Sequence, residues 1–167
     1  MKRLSPSVLT ALAGLVALGI FGASVGLQHW EEIEPCPLCI FQRFLFLVLG
    51  CVLVLLSFTT RKRWGGKLTA ILGGLIALGG LATAIYQTIM QAKPGLVPEC
   101  SFTNPNLIYQ FVDWLAYHVD DDLFMATGLC SDKAWTLFGL SLANWSAVAF
   151  TGFGVFAIWL WRKRQSA

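Results

Sequence analysis

Charged residues are scarce in this chain of 167 residues: they make up 13% of it, whereas hydrophobic residues make up 56%. Soluble domains carry about 25% charged residues, so the composition excludes an ordinary soluble protein. Histidine is also scarce. The only two, His29 and His118, stand alone without the spacing of metal ligands, and both are predicted to be interfacial rather than catalytic.

Four long apolar stretches account for the hydrophobic excess. They lie at about residues 8–27, 40–58, 68–89 and 145–161. Each is close to the ~20 residues that a helix needs to cross a bilayer. The first stretch has a basic start, but it is too long for a signal peptide and no Ala-x-Ala cleavage site follows it. We therefore predict an all-α membrane protein with four transmembrane helices in one domain, residues 1–167.

Charges of opposite sign are separated by these stretches. All nine acidic residues lie on one side of the predicted membrane, and most of the twelve basic residues lie on the other. By the positive-inside rule both termini are cytoplasmic, and segments 28–39 and 90–144 lie outside, in the periplasm of a bacterium. The basic runs are short and adjoin the spans, so they indicate retention signals rather than a nucleic-acid surface. These basic residues are Lys2, Arg3, Arg61, Lys62, Arg63, Lys67, Arg162, Lys163 and Arg164.

Glycine and tryptophan add weaker signals. A Gly-x-x-x-Gly motif at Gly22 and Gly26 predicts close helix packing, as does the glycine-rich third stretch. Tryptophans near the ends of the stretches are typical of an aromatic belt at the membrane interface. They are Trp30, Trp145, Trp159 and Trp161.

The five cysteines are distributed unevenly across the predicted membrane. Cys36 and Cys39 precede the second stretch, and Cys100 and Cys130 lie in the long outer loop. Four cysteines on an oxidising face predict either a disulfide framework or a disulfide-exchange device. Cys51 lies inside the second stretch, about 18 Å beyond Cys39 along a helix, so it is out of bonding range and is predicted to have a structural role in packing.

The motif Cys36-Pro-Leu-Cys39 favours exchange. Pro37 suits the first turn of a helix, where its missing N–H is not needed. A helix starting near Cys36 places both sulfurs on one face, and the amides at its N-terminus stabilise a thiolate. Two alternatives stay open: a bridge that only staples this turn, and a zinc site formed with the other two outer cysteines.

Arg43 lies one helical turn beyond Cys39 on the same face. An arginine at this depth is costly unless it extends to lipid headgroups or meets a polar partner. We keep both interpretations. In the second, the guanidinium binds a carbonyl-bearing electron acceptor dissolved in the membrane and holds it against the thiol.

The outer loop combines a possible bridge with a predicted helix. Joining Cys100 to Cys130 would close a ring of roughly 31 residues, worth about 3–4 kcal/mol if the bridge were purely structural. Between them, apolar residues at helical spacing in 107–119 predict an amphipathic helix on the outer membrane surface. Proline and glycine flank the two cysteines, including Gly128, which predicts that both are mobile.

With these residues assembled, the chain resembles the bacterial disulfide bond formation protein B (DsbB) family. The stretch QHWEEIEPCPLCIFQR carries the family's Gln-His, its Pro-Cys-x-x-Cys and an arginine four residues after the second cysteine. The stretch ATGLCSDKAWTLFGLSLANW is similar to the family's Gly-x-Cys, Trp and Gly-Leu-Ser-Met-Pro-x-Trp. Leu142 and Ala143 stand where Met-Pro is common.

This resemblance implies a thiol:quinone oxidoreductase of the bacterial inner membrane. Cys36–Cys39 and Cys100–Cys130 would be redox-active disulfides, and a soluble DsbA-like thioredoxin-fold oxidase of the periplasm would attack Cys100. Cys39 would lie against ubiquinone or menaquinone from the membrane pool, and Arg43 would bind and polarise the quinone. No metal and no nucleic acid are implied. Gln42 receives no role, because the family varies there.

Two other classes remain. One resembles vitamin K epoxide reductase, which is also helical with an interfacial Cys-x-x-Cys. Its long loop follows the first span, whereas the long loop here precedes the last. The other is a membrane protein without enzymatic activity, held by two structural disulfides.

Overall fold

The structure, a computed structural model, describes residues 5–93, 107–133 and 135–165. In these ranges four helices are long and apolar enough to cross a membrane, which confirms the predicted architecture. The elements in chain order are α1 (Pro6–Glu31), α2 (Pro37–Ser57), a 3₁₀ turn (Thr59–Arg61), α3 (Arg63–Ala92), α4 (Leu107–His118), α5 (Asp121–Phe124), β1 (Thr136–Leu137), β2 (Leu140–Ser141) and α6 (Leu142–Gln165).

The long helices extend beyond the apolar stretches because local caps fix their ends. The Ser5 hydroxyl accepts a hydrogen bond from the Val8 N–H at 3.4 Å and starts α1 before the first apolar residues. Glu32 closes the same helix in a left-handed conformation, with φ 49°. These capping residues are polar, so hydropathy alone does not include them in a span.

The four long helices form an antiparallel bundle with two distinct ends. The Thr60 hydroxyl donates to Ser7 at 3.1 Å, which joins the start of α1 to the end of α2. The Thr88 hydroxyl donates to Asn144 at 3.0 Å, which joins the end of α3 to the start of α6. The end with Thr60 and Ser7 is called the basic end, because Lys62 and Lys163 lie there. The end with Thr88 and Asn144 is called the cysteine end, because α2 begins there at Cys36.

Aromatic stacking and two glycine contacts hold the centre of the bundle. Phe46 of α2 stacks on Phe150 of α6 with ring centroids 4.1 Å apart. A Cβ at Gly80 of α3 would lie 2.3 Å from the Phe150 ring, so only glycine admits this ring. Gly14 of α1 and Gly50 of α2 also approach each other closely, since a Cβ on Gly14 would lie 2.9 Å from the Gly50 carbonyl oxygen.

The packing role predicted for Gly22 and Gly26 is wrong. A Cβ at either position would meet nothing within 4 Å. The reason is rotational: the face of α1 that contacts α2 is the one that carries Gly14 and Ala17, and the motif lies elsewhere on the helix. Spacing alone did not identify the contacting face.

The loop helix is confirmed as α4, and it lies against α2. Its buried residues are Tyr109, Val112 and Leu115. Phe111 makes edge contacts with Phe41 and Phe44 of α2, with centroid distances of 5.9 and 5.2 Å. The apolar side of α4 therefore covers the first turns of α2, directly after the Cys-x-x-Cys motif.

A small hairpin returns the chain to α6, and the sequence analysis did not predict it. Strands β1 and β2 pair antiparallel, with Thr136 opposite Ser141. The two turn residues, Phe138 and Gly139, have φ angles of 53° and 78°, as the tightest hairpin turns require. Trp145 donates its indole N–H to the Leu137 carbonyl at 3.2 Å and ties the hairpin to α6.

Candidate active site

Cys36 and Cys39 occupy the first turn of α2, as predicted. Cys36 is the N-cap residue, and its sulfur accepts the Cys39 backbone N–H at 3.3 Å. The two sulfurs are 2.9 Å apart, in hydrogen-bond contact. A disulfide bond is about 2.05 Å long, so a small movement of either side chain joins them.

Cys130 lies against this pair. Its side chain is fully buried, it makes a hydrogen bond with Cys36, and both belong to one apolar cluster with Met90. The mobility predicted for Cys130 is therefore wrong. The structure brings together three of the four predicted catalytic cysteines, and Cys100 lies outside the described residues.

Backbone contacts explain why Cys130 is held there. The N–H groups of Thr127 and Gly128 both donate to the Pro35 carbonyl oxygen at 3.1 Å. A Cβ at Gly128 would lie 2.3 Å from the Glu34 carbonyl oxygen, so only glycine permits this approach. The sequence analysis took Gly128 as a source of flexibility, whereas it serves close contact between two segments.

Burial also changes the chemistry expected of Cys36. It raises the pKa of the Cys36 thiol well above its usual range, and the hydrogen bonds with Cys130 and Cys39 raise the pKa further. At Cys36, desolvation thus outweighs the stabilisation of a thiolate that is expected at a helix N-terminus. Cys36 is suited to being attacked as one sulfur of a disulfide rather than to attacking as a thiolate.

Beside Cys39 lies a cavity of about 460 Å³. Most of its wall is apolar and comes from α1, α2, the hairpin and α6, and its volume is typical of small-molecule sites. Cys39, Gln42 and Arg43 supply polar groups to it. The other lining residues are Ile20, Ala23, Ser24, Leu27, Phe46, Leu137, Leu142, Ala143, Trp145, Ser146 and Ala149.

Arg43 points into the bundle and not toward lipid headgroups. Its side chain is 7% exposed, lines the cavity, and donates a hydrogen bond to the Gln28 side-chain oxygen. The headgroup-anchor interpretation therefore does not fit, because the guanidinium has a polar partner within the protein. Gln28 appeared in the sequence only as part of a motif, and its contact with Arg43 is a finding of the structure.

Two further glutamines complete the polar site. Gln87 of α3 donates its amide N–H to the sulfurs of Cys39 and Cys36 at 3.0 and 3.3 Å. Gln42 donates to the Gln87 side-chain oxygen at 2.8 Å. The sequence analysis missed Gln87. A polar residue inside a predicted span is itself a signal of function, and that signal could have identified it.

The remaining predicted positions lie away from this site. Cys51 is exposed on the outer face of α2, so the packing role predicted for it is wrong, although its separation from the cysteine pair is confirmed. His29 and His118 are exposed, and the Nδ1 atom of each contacts a carbonyl oxygen of its own helix. Among the described residues, no group of three or more His, Cys, Asp or Glu side chains is arranged to hold a metal ion.

Comparison with known proteins identifies the family of this chain. A family model described as "Disulfide bond formation protein DsbB" matches residues 6–160. The chain belongs to the DsbB family. It is therefore a multi-pass membrane oxidoreductase that acts in disulfide bond formation.

Individual relatives are similar over nearly their whole length. The disulfide bond formation protein B of Dechloromonas aromatica (strain RCB) is 42% identical over 94% of this chain and 93% of the relative. The protein of that name from Azoarcus sp. (strain BH72) is 38% identical over 92% of this chain and 88% of its own. That of Aromatoleum aromaticum is 32% identical over 99% of both.

Proposed function

We propose that this DsbB-family protein is a thiol:quinone oxidoreductase. It oxidises the dithiol of a DsbA-like thioredoxin-fold oxidase and passes the electrons through two cysteine pairs to ubiquinone or menaquinone. One observation carries the proposal: Cys36 contacts the loop cysteine Cys130, while Cys39, its neighbour, lines the cavity that contains Arg43. The Cys36–Cys39 pair thus lies between a donor of electrons and a site for an acceptor.

Thiol–disulfide exchange accounts for the first half of the reaction. A thiolate of the partner attacks Cys100 in a Cys100–Cys130 disulfide, and Cys130 leaves with the electron pair of that bond. The Cys130 thiolate then attacks Cys36 of the Cys36–Cys39 disulfide, with which it is in contact. A Cys130–Cys36 bond forms, the Cys36–Cys39 bond breaks, and Cys39 leaves as a thiolate beside the cavity.

The residues around the cavity fit a quinone. The wall is mainly apolar, as an isoprenoid quinone requires, and the Arg43 guanidinium is a donor suited to a carbonyl oxygen. A quinone bound there supplies an acceptor for the two electrons of the cysteine pair. Arg43 binds and orients the carbonyl, Gln28 fixes the arginine, and the apolar wall excludes water.

The distribution of charge supports a location for the protein and an orientation in the membrane. The basic residues that flank α2, α3 and α6 gather at one end of the bundle, and the cysteine site lies at the other. The positive-inside rule places the basic end in the cytoplasm. In the inner membrane of a bacterium, the cysteines then face the periplasm, where a soluble DsbA-like oxidase meets them.

Quinone reduction by the purified full-length protein tests this function. The protein is reduced with dithiothreitol, freed of reductant, and mixed with a short-chain ubiquinone or menaquinone while quinone absorbance and free thiols are followed. We expect one quinone reduced for each dithiol lost in the wild type and in Cys51→Ala, and none in Cys39→Ala. Thiols that stay reduced in the presence of quinone would show a stapled structure without this activity.

A second arm of the experiment tests the partner. Reduced DsbA-like oxidase replaces dithiothreitol as the electron donor. Cys100→Ala should lose quinone reduction driven by the partner and keep the reduction driven by dithiothreitol, which reaches the Cys36–Cys39 disulfide without the loop cysteines. Equal loss of both reactions would contradict a relay through two cysteine pairs.

A further inference from the structure

Gln87 is a buried polar side chain of α3, near the cysteine end of that helix. Only 1% of it is exposed, so its amide must be paired to avoid a large desolvation cost. Its nitrogen lies 3.0 Å from the Cys39 sulfur and 3.3 Å from the Cys36 sulfur. One residue of α3 therefore reaches both members of the cysteine pair on α2.

Gln42 fixes the direction in which this amide donates. Its own amide nitrogen lies 2.8 Å from the Gln87 side-chain oxygen, and 3% of Gln42 is exposed. A disulfide or a thiolate offers only acceptors, so the N–H groups of Gln87 must face the sulfurs in those states. With Gln42 donating to the oxygen, every polar atom of the Gln87 amide then has a partner.

We propose that Gln87 is a catalytic residue of this oxidoreductase, which donates a hydrogen bond to the Cys39 sulfur as it leaves the Cys36–Cys39 disulfide, and that Gln42 is the positioning residue that aims it. The inference rests on the proposed exchange. As the Cys130 thiolate bonds to Cys36, the electron pair of the broken sulfur–sulfur bond passes to Cys39. No proton is transferred, so a neutral donor that is already in place stabilises the new charge.

Arg43 does not replace Gln87 in this role. Its guanidinium is hydrogen-bonded to Gln28 and lines the cavity, whereas Gln87 contacts the sulfur directly. The two residues thus act on different atoms: Arg43 on the occupant of the cavity, and Gln87 on the leaving sulfur. A neutral amide also keeps the same donors over the whole physiological pH range, whereas a histidine gains or loses a ring proton within it.

The test measures the thiolate at Cys39 without quinone or partner. The parent protein is the full-length chain in which Cys39 is the one cysteine left, through the substitutions C36A, C51A, C100A and C130A. The rate of its alkylation by iodoacetamide is measured at about pH 7 and again at about pH 10. At the higher pH ordinary thiols are ionised. With Gln87→Met, which keeps the size of the side chain but has no donor, we expect alkylation about tenfold slower at pH 7 and unchanged at pH 10.

Two further variants keep the test decisive. Gln42→Met leaves Gln87 in place but removes the hydrogen bond to its side-chain oxygen. We therefore expect a smaller decrease in the alkylation rate of Cys39 than in Gln87→Met, and only at pH 7. Thr88 is next to Gln87 in sequence but does not contact a sulfur. Thr88→Val removes the hydrogen bond to Asn144, and Cys39 in this variant should be alkylated at the same rate as in the parent at both pH values.

A purely structural role for Gln87 predicts a different pattern. A change in access to Cys39 alters alkylation equally at both pH values, and that result, or no change at either pH, overturns the proposal. If Gln87→Met does not fold, Gln42→Met decides by the same criterion. Because the assay contains no quinone and no partner, its outcome is independent of whether electrons reach a quinone.

Discussion

At the residue scale, the buried polar side chains differ in the partners of their hydrogen bonds. Hydroxyls such as Thr10 and Thr69 donate to carbonyls of their own helix, at 2.8 Å in both cases. The amide of Gln87 and the guanidinium of Arg43 bond to other helices instead. The first kind stabilises a helix by itself, whereas the second depends on the assembled bundle, and both of these residues lie beside the cysteine pair.

Replacing Arg43 separates its two possible contributions. Arg43→Ala removes a charged donor from the cavity, and we expect the apparent KM for quinone to rise about tenfold or more. Arg43→Lys keeps the charge but loses the planar fork, so an intermediate rise is expected. Steady-state quinone reduction measures the apparent KM of both variants, with thermal melting as the control for folding. Unchanged quinone kinetics in Arg43→Ala would remove Arg43 from the quinone site.

Cys51 should be dispensable. It is exposed on the outer face of α2, away from both the cysteine pair and the cavity. Cys51→Ala should therefore retain quinone reduction within about twofold, since surface substitutions rarely change stability by more than about 0.5 kcal/mol. Turnover of the wild type and the variant with dithiothreitol as donor checks this. A large loss in a protein that melts normally would mean that Cys51 takes part in electron transfer.

At the scale of elements, the segment before Cys130 acts through its contact with the segment before Cys36. Two backbone hydrogen bonds to Pro35 and the close approach of Gly128 to Glu34 hold the segments together. Neither feature is visible in a pattern of side chains, because the contacts are made by backbone atoms. Main-chain geometry thus brings Cys130 and Cys36 together.

Gly128→Ala should uncouple the loop from the cysteine pair. The new Cβ would lie 2.3 Å from the Glu34 carbonyl oxygen, so the segment must move and both hydrogen bonds to Pro35 weaken. At about 1 kcal/mol for each bond, we expect turnover driven by the DsbA-like partner to fall by roughly tenfold or more. Quinone reduction driven by dithiothreitol should persist, because it bypasses Cys130.

Gly26→Ala is the matched control for this prediction. A Cβ at Gly26 meets nothing within 4 Å, so the same substitution should leave both reactions unchanged. If Gly128→Ala also leaves turnover with the partner unchanged, the contact between the two segments has no part in the transfer from Cys130 to Cys36.

For the whole molecule, hydropathy and charge were sufficient to predict four helices and the end of the bundle that carries the cysteines. The Cys-x-x-Cys motif and Pro37 also predicted the start of α2, because both depend on the local chain. Contacts between elements were not predictable in this way. The amide of Gln87 lies on a different helix from the sulfurs that it contacts, and Gly22 and Gly26 matched a packing motif on the wrong face.

The order of exchange is a property of the whole molecule, because it depends on which cysteine a soluble partner reaches. Cys130 is fully buried against Cys36, which places it beyond a protein-sized partner. Cys100 follows Val97-Pro98-Glu99, and the residue before a proline disfavours helix, so the sequence predicts an extended and accessible lead-in.

A DsbA-like variant without its second active-site cysteine should therefore accumulate as a mixed disulfide through Cys100, as shown by peptide mapping. In Cys130→Ala the adduct should not form and the Cys36–Cys39 disulfide should stay intact, since Cys100 is then a free thiol with no disulfide bond for the partner to break. An adduct through Cys130, or one that survives in Cys100→Ala, would reverse this order.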